Sequence, residues 1–138
     1  MPTDCIFCAI AQGREAASVV TRERGLVAFL DTRPVFKGHV LVVPEEHAAD
    51  LAALADIAPL FTLVRRLALA IPRALNAQGA FVAVNDRVSQ SVPHLHAHVV
   101  PRSKGDGLRG FFWPRTRYDS LEERDTFARR IADALAAA

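Results

Sequence analysis

The most informative part of this chain is the run Ser91-Val92-Pro93-His94-Leu95-His96-Ala97-His98-Val99-Val100. Apolar residues alternate with histidines there, and several are β-branched, which predicts a β-strand over Leu95–Val100. Side chains on a strand point to opposite faces in turn, so the three histidines should share one face and the apolar residues should face a core. A row of neutral imidazoles can bind a metal, activate a nucleophile or bind phosphate. A merely solvated strand face would mix threonine, lysine and glutamate instead.

The rest of the chain predicts one α+β domain spanning residues 1–138. Its 138 residues, 51% of them hydrophobic and 23% charged, suit a single globular core. Short β-branched runs predict four further strands, at Ser18–Thr21, Leu26–Leu30, His39–Val43 and Phe81–Val84. Helical periodicity and composition predict three helices, at Cys5–Gln12, Ala48–Ala77 and Leu121–Ala136. These elements predict a mainly antiparallel five-stranded sheet with a long helix and a C-terminal helix.

Local signals add three details to this fold. Arg22–Gly25 is predicted to form the turn between the first two strands. Asp56 is expected to act as an N-cap of the long helix. Pro72 removes a backbone donor within the helical pattern, so we expect a kink or a break there.

Charge and hydropathy limit the classes of function. The formal net charge of +2 gives no support for a large nucleic-acid surface. No apolar run approaches the roughly 20 residues of a membrane span, and the start of the chain lacks the basic and apolar segments of a signal peptide. We therefore expect a cytoplasmic protein with neither a membrane nor a nucleic acid as partner. In a reducing compartment its two cysteines would serve a metal or chemistry rather than a disulfide.

Cys5 and Cys8 form a C-x-x-C pair near the start of the chain. Such a pair can bring two thiolates to one tetrahedral ion, but it can also be a redox pair or two unrelated thiols. His47 and His94 are available as further ligands and would complete a Cys₂His₂ zinc site. The alternative is a pair of buried thiols, a surface His47 and no metal.

Five blocks of the sequence, in order, resemble the histidine triad (HIT) superfamily. They are Asp4–Cys8, Ala28–Asp31, Lys37–Pro44, Asn85 ahead of Gln90–Val92, and the histidine run His94–Val100. The resemblance covers most of the chain and is to the bacterial Hint- and Fhit-like branch with an N-terminal C-x-x-C motif. It implies a HIT-like fold.

The resemblance also implies an activity. It suggests hydrolysis or transfer at the α-phosphate of a nucleoside phosphoramidate, an acyl-nucleotide or a dinucleoside polyphosphate, through a nucleotidyl-histidine intermediate. The middle histidine, His96, would be the nucleophile, and His98 would donate to a phosphate oxygen or the leaving group. Gln90 and Ser91 resemble residues that contact phosphate.

The nucleoside half of a purine nucleotide has its own candidate residues. Asp31 resembles the acid that accepts from the ribose hydroxyls, and Asn85 a residue near the phosphate or ribose; either could instead only shape a turn. Four apolar residues match positions that line the base pocket in relatives, although each could be plain core: Ile6, Phe7, Ile10 and Phe29. His39, on a neighbouring strand, is expected to hold the three histidines in position without contacting the substrate itself.

The resemblance further implies a closed, structural zinc on Cys5, Cys8, His47 and His94. It also implies a homodimer, in which Trp113 of the Gly-rich segment 105–113 could reach a partner's site. One departure is Ser89, where relatives usually have glycine before the glutamine. The segment from Asn85 to Gln90 is also shorter than in relatives.

Two other functions remain open from the sequence. The chain could be a non-catalytic nucleotide-binding or interaction module, since some relatives act through partners. It could also be a metalloenzyme in which His94, His96 and His98 share one catalytic metal. Against the second, a straight strand separates residues i and i+4 by about 13 Å.

Overall fold

The computed structural model describes residues 4–108 and 115–138. Its elements, in chain order, are α1 (Ile6–Ala11), β1 (Val19–Glu23), β2 (Leu26–Leu30), β3 (Val40–Pro44), a 3₁₀ turn (Leu51–Ala53), α2 (Ala58–Leu75), β4 (Gly79–Val84), β5 (Ala97–Arg102) and α3 (Leu121–Ala137). The strands within the described residues form one sheet in the order β1-β2-β3-β5-β4, with every neighbouring pair antiparallel. The predicted α+β class and five-stranded antiparallel sheet are confirmed.

Both faces of the central strands are buried. Alternate residues of β2, β3 and β5 pack against α2, whose buried stripe is Leu60, Leu63, Val64, Leu67 and Ile71. The intervening residues of β2 and β3 belong to a second cluster with α1, formed by Cys5, Phe7, Cys8, Ile10, Val27, Phe29, Leu41 and Val43. This second face carries the predicted functional residues, while Leu95, Ala97 and Val99 face α2 as expected.

The long helix is shorter than predicted, because residues before Ala58 bond elsewhere. The Ala48 carbonyl accepts from the Leu95 N–H at 2.7 Å, and the Asp50 side chain caps the 3₁₀ turn through the Ala53 N–H at 3.0 Å. Asp56 accepts from the Ala58 N–H at 3.1 Å, so it does satisfy a donor of the first turn of α2. The helix continues through Pro72 to Leu75, so the break considered above does not occur.

Four of the five strands differ from their predicted bounds by one or two residues, and β1 and β5 show a physical reason. β1 continues through Glu23, because the reversal needs only Arg24 and Gly25, whose φ angles of +50° and +73° suit a two-residue hairpin turn. β5 begins at Ala97 rather than Leu95. The reason is that the Leu95 N–H bonds to Ala48, outside the sheet.

The described residues divide into two compact units, one up to Asp106 and one from Gly107. The second contains α3, which begins at Leu121 as predicted and ends at Ala137, one residue later than predicted. Ser120 is its N-cap and accepts from the Glu123 N–H at 3.0 Å. The assignment of the whole chain to one domain stays a prediction, and Trp113 lies outside the described residues. Within the described ranges, no helix has the length and apolar character that a bilayer span requires.

Candidate active site and metal centre

Helix α1 lies on the sheet face that carries the histidines and is held at both ends. Cys5 is its N-cap, and the Cys5 Sγ accepts from the Cys8 N–H at 3.4 Å. At the other end, the Arg22 guanidinium donates to the carbonyls of Ala11 and Ile10, at 2.9 and 3.0 Å. A helix of six residues is not stable alone in water, so these attachments decide where it lies.

Four predicted ligands converge beside the start of α1. The His94 Nδ1 lies 3.4 Å from the Sγ atoms of both Cys5 and Cys8, and the His47 Nδ1 lies 3.3 Å from the Cys8 Sγ. All four ligand atoms lie within 4.8 Å of one another. The His94 Nε2 donates to the Pro44 carbonyl at 2.8 Å, which leaves the lone pair on Nδ1, facing the two sulfurs.

This donor set fits a zinc ion. Burial, together with the neighbouring Cys5 thiol, raises the pKa of the Cys8 thiol to about 11. Burial also lowers the pKa of His94, which keeps its imidazole neutral. A bound cation would compensate the thiolates that the pocket otherwise disfavours, and Cys₂His₂ is a common structural zinc set.

The tautomer of His96 follows from one hydrogen bond. Its Nδ1 lies 2.8 Å from the backbone carbonyl of His94 and must donate, because a carbonyl only accepts. The lone pair of the neutral ring is therefore on Nε2. Phe7 packs edge-on against both rings, with centroids 5.9 Å from His94 and 5.0 Å from His96.

The tautomer of His98 is set by a chain of hydrogen bonds that begins at a backbone N–H. The Val35 N–H donates to the His39 Nδ1 at 3.1 Å, so a neutral His39 carries its proton on Nε2. That Nε2 lies 2.9 Å from the His98 Nδ1 and donates to it. The proton of His98 is therefore on its Nε2, a buried atom that has no hydrogen-bond partner among the described residues.

His98 is neutral over a wide pH range. Burial, followed by the nearby His96 and His39, lowers the pKa of His98 to about 4, although Asp31 acts in the opposite direction. Burial likewise lowers the pKa of His39. The Asp31 carboxylate lies 3.8 Å from the His39 Nδ1, which accepts from Val35; the contact is therefore not a charged pair.

A cavity of about 460 Å³ opens beside these histidines, within the range of small-molecule sites. Its lining contains eight of the predicted residues: Ile6, Phe7, Ile10, Phe29, Asp31, Ser91, His96 and His98. Asp31 is half-buried, and its Oδ1 accepts from the Arg33 N–H at 2.9 Å. The cavity thus has an apolar slot next to a carboxylate and two imidazoles whose tautomers are fixed by hydrogen bonds.

Two of the residues expected to contact the phosphate or the ribose, Gln90 and Asn85, do not line this cavity. The Gln90 side chain donates to the Ala49 carbonyl at 2.6 Å, and Asn85 is exposed just after β4. They belong to a loop in which Arg87 and Ser89 have left-handed φ angles of +73° and +60°. The position where relatives usually have glycine is therefore one that favours glycine.

The structure adds lining residues that sequence reasoning did not identify. Leu41 lies opposite Phe29 on one neighbouring strand and opposite His98 on the other, a register that the sequence does not specify. The others are Glu15, Ala16, Ala17, Leu30, Thr32, Arg33 and Val92. Among the described residues, the triad does not gather around one ion, since His94 and His98 belong to separate ligand groups.

Comparisons with known proteins agree with this geometry. Residues 12–105 match the family model of the HIT domain. An uncharacterized HIT-like protein of Mycobacterium tuberculosis is 35% identical over 96% of this chain and 93% of its own length. The adenosine 5′-monophosphoramidase hnt1 of Schizosaccharomyces pombe is 38% identical over 80% of this chain and 83% of its own length.

Two solved structures have the same architecture. A HIT family protein from Bacillus anthracis superposes with a TM-score of 0.84 at 32% identity, covering 97% of this chain and 99% of that one. A Zn-bound histidine triad family protein from Mycobacterium smegmatis has a TM-score of 0.73 at 33% identity, with 98% of each chain covered.

Proposed function

Because the chain belongs to the HIT family, we propose that it is a nucleotide hydrolase or nucleotidyl transferase with His96 as its nucleophile. Its substrate would be a purine nucleoside phosphoramidate, an acyl-nucleotide or a dinucleoside polyphosphate, attacked at the α-phosphorus. The similarity to an adenosine 5′-monophosphoramidase supports this choice of chemistry.

The observation that carries the proposal is the hydrogen bond from the His96 Nδ1 to the His94 carbonyl. It leaves the Nε2 lone pair of a cavity-lining imidazole free to attack phosphorus. An Nε2–phosphorus bond forms while the bond to the leaving group breaks, and the leaving group takes the bonding electron pair and a proton from solvent. Water then attacks the phosphorus and returns a proton to solvent, the Nε2–phosphorus bond breaks with its electron pair returning to Nε2, and a nucleoside monophosphate leaves.

The other cavity residues suit the two halves of such a substrate. The Nε2–H of His98, which has no partner among the described residues, would donate to a phosphate oxygen or the leaving group. The slot of Ile6, Phe7, Ile10 and Phe29 would take the base, while Asp31 accepts from the ribose. Ser91 would contact the phosphate. Asn85 and Gln90 could join it only if their loop moved, and Gln90 would have to leave the Ala49 carbonyl.

We also propose that Cys5, Cys8, His47 and His94 hold a structural zinc ion. The ion would cross-link the start of α1 to the histidine segment and take no part in bond breaking. The Zn-bound relative supports this assignment.

Gln90 bonding outside the cavity favours one alternative, a nucleotide-binding module that does not turn over. A panel of the three substrate classes separates the two functions, run on the wild type, His96→Ala and His98→Ala. We expect turnover by the wild type with a nucleoside monophosphate as product, and a covalent adduct of one nucleoside monophosphate in the intact mass after quenching.

His96→Ala should lose both turnover and adduct but still bind the nucleotide, because only the covalent step is removed. His98→Ala should lose less, as it removes a donor and not a bond. Substantial hydrolysis by His96→Ala would contradict the nucleophile assignment. Tight nucleotide binding by the wild type without any turnover would favour the binding module.

A further inference from the structure

We propose that metal binding at Cys5, Cys8, His47 and His94 is coupled to nucleotide binding in the cavity, so that each raises the affinity of the protein for the other. This inference rests on the proposed function, because it takes the cavity as the nucleotide site. Two parts of the chain connect the two sites: helix α1 and His94.

Helix α1 and its N-cap contribute side chains to both sites. Cys5 and Cys8 point toward the metal group, whereas Ile6, Phe7 and Ile10 form part of the cavity wall. With six residues, α1 cannot be helical without tertiary support. The ligands that fix its first turn would therefore also fix the apolar wall against which a base packs.

The support that remains without a metal is unequal along α1. Its last turn keeps the two hydrogen bonds from Arg22. Its first turn keeps the Cys5 cap on the Cys8 N–H, thiol contacts to His94 and His47 at 3.3–3.4 Å, and the packing of Phe7, whose ring lies 5.5 Å from that of Phe29. Two protonated thiols are weak hydrogen-bonding groups, so metal loss should loosen the first turn before the last.

His94 forms the second connection. Its imidazole is a ligand of the metal group, while its carbonyl accepts the Nδ1 proton of His96. Phe7, on α1, packs against the imidazoles of both His94 and His96, so the two connections between the sites are in contact with each other. A metal that immobilises the His94 ring therefore holds the cavity-lining His96 in place as well.

The consequence is a thermodynamic linkage. A nucleotide that binds to metal-free protein must order the first turn of α1 itself, which weakens its binding. If the metal raises the nucleotide affinity by a certain factor, the nucleotide must raise the metal affinity by the same factor. We expect this factor to be at least roughly fivefold, the lower end of ordinary coupling between sites.

The test uses zinc and adenosine 5′-monophosphate, a probe that is not turned over. Its dissociation constant is measured by calorimetry on zinc-loaded and on chelated protein. The zinc affinity is measured by chelator competition with and without the nucleotide. We expect both affinities to change by the same factor, with the metal-free protein binding the nucleotide at least fivefold more weakly.

Hydrogen exchange identifies where the coupling lies. After chelation, the Ala9 amide, which bonds to the Cys5 carbonyl across the first turn of α1, should lose more protection than the Gln12 amide, which bonds to the Cys8 carbonyl at the end of the helix, while β2 and β3 keep theirs. Loss of protection throughout the sheet would overturn the proposal, because the metal would then act on global folding. Equal nucleotide affinity with and without zinc would overturn it too.

His47→Ala is the informative variant, since His47 is a ligand that lies neither on α1 nor in the cavity lining. It should weaken nucleotide binding as chelation does. Its exposed neighbour Glu46, which is outside the ligand group, provides the matched control, and Glu46→Ala should leave both affinities unchanged. Failure of zinc-loaded wild type to bind any nucleotide would instead reject the proposed function.

Discussion

At the scale of single residues, His39 controls the donor of His98 without lining the cavity itself. His39→Ala should lower kcat by about 10- to 100-fold, the usual effect of losing a partner that orients a functional histidine, with little change in KM. The reason is that the His98 proton could then move to Nδ1, leaving an acceptor toward the substrate. Steady-state kinetics on the best substrate of the panel measures the effect.

His39→Gln is the matched control, because its amide can still donate to the His98 Nδ1. It should recover a large part of kcat, and its pH profile should follow the wild type. Equal losses in the alanine and glutamine variants would mean that the imidazole only fills space there.

The lowered pKa of His98 predicts how stability depends on pH. In the unfolded chain this histidine titrates near 6.5, whereas in the folded protein burial, His96 and His39 lower its pKa to about 4 against the opposing effect of Asp31. Between these values the unfolded chain binds a proton that the folded protein does not. The free energy of unfolding should therefore fall as the pH decreases from 6.5 toward 4, by at most about 1.4 kcal/mol per pH unit.

Urea titrations of the wild type and His98→Gln across this pH range isolate the effect. The carboxylates titrate in both proteins, so the difference between the two curves belongs to the histidine. We expect the variant to show the smaller slope. Parallel curves would show that His98 does not resist protonation in the folded protein.

At the scale of elements, Gly38 lies just before the start of β3 and packs closely against Leu75 at the end of α2. Its φ is +98°, and an added Cβ would overlap the Leu75 Cδ1 and lie 3.5 Å from the Pro101 Cγ. Gly38→Ala should therefore lower the free energy of unfolding by about 1–2 kcal/mol from backbone strain alone. Gly79→Ala is the control, since no atom lies within 4 Å of its added Cβ and its φ is not left-handed.

Chemical denaturation of Gly38→Ala and Gly79→Ala measures how much each lowers the free energy of unfolding. Adding Leu75→Ala then separates the two causes of the loss, which are backbone strain at residue 38 and the contact with Leu75. Leu75 is half-exposed, so its end can move away from the new methyl group. We expect the double variant Gly38→Ala, Leu75→Ala to keep most of the loss caused by Gly38→Ala. Full rescue would assign the effect to the contact rather than to the backbone.

The sequence predicted those parts of the fold and site that depend on short-range spacing. Alternation along residues 94–100 correctly assigned Leu95 to the face against α2. Residues three apart on one helical turn, Cys5 and Cys8, meet at one point as their spacing implies. The HIT fold followed from the order of such blocks.

The parts that could not be predicted depend on distant backbone partners. Composition favours helix over residues 48–57, but the Ala48 carbonyl bonds to Leu95 and so delays the helix to Ala58. The same bond moves the start of β5. Gln90 bonds to Ala49 outside the cavity for a similar reason, since no local pattern reveals which carbonyl a glutamine amide will reach.

At the scale of the whole molecule, the two edges of the sheet differ in their surroundings. β4 forms one edge and carries Val82, which is 41% exposed. The neighbouring helix α2 exposes Phe61 and Leu69 as well, at 43% and 55%. An apolar edge strand beside an apolar helix surface is a template for pairing with another chain. The other edge, β1, exposes Val19 and Val20, but charged Arg22 and Glu23 follow in the same strand.

We therefore predict an isologous homodimer that joins β4 and α2 of two chains across a two-fold axis. Sedimentation at micromolar concentration should show a single species of twice the 15.1 kDa of one chain. Val82→Lys should shift it toward monomer, because a charge on the edge strand opposes pairing. Val20→Lys on the opposite edge should leave the mass unchanged. A wild-type monomer would reject the dimer, and dissociation by Val20→Lys alone would move the interface to β1.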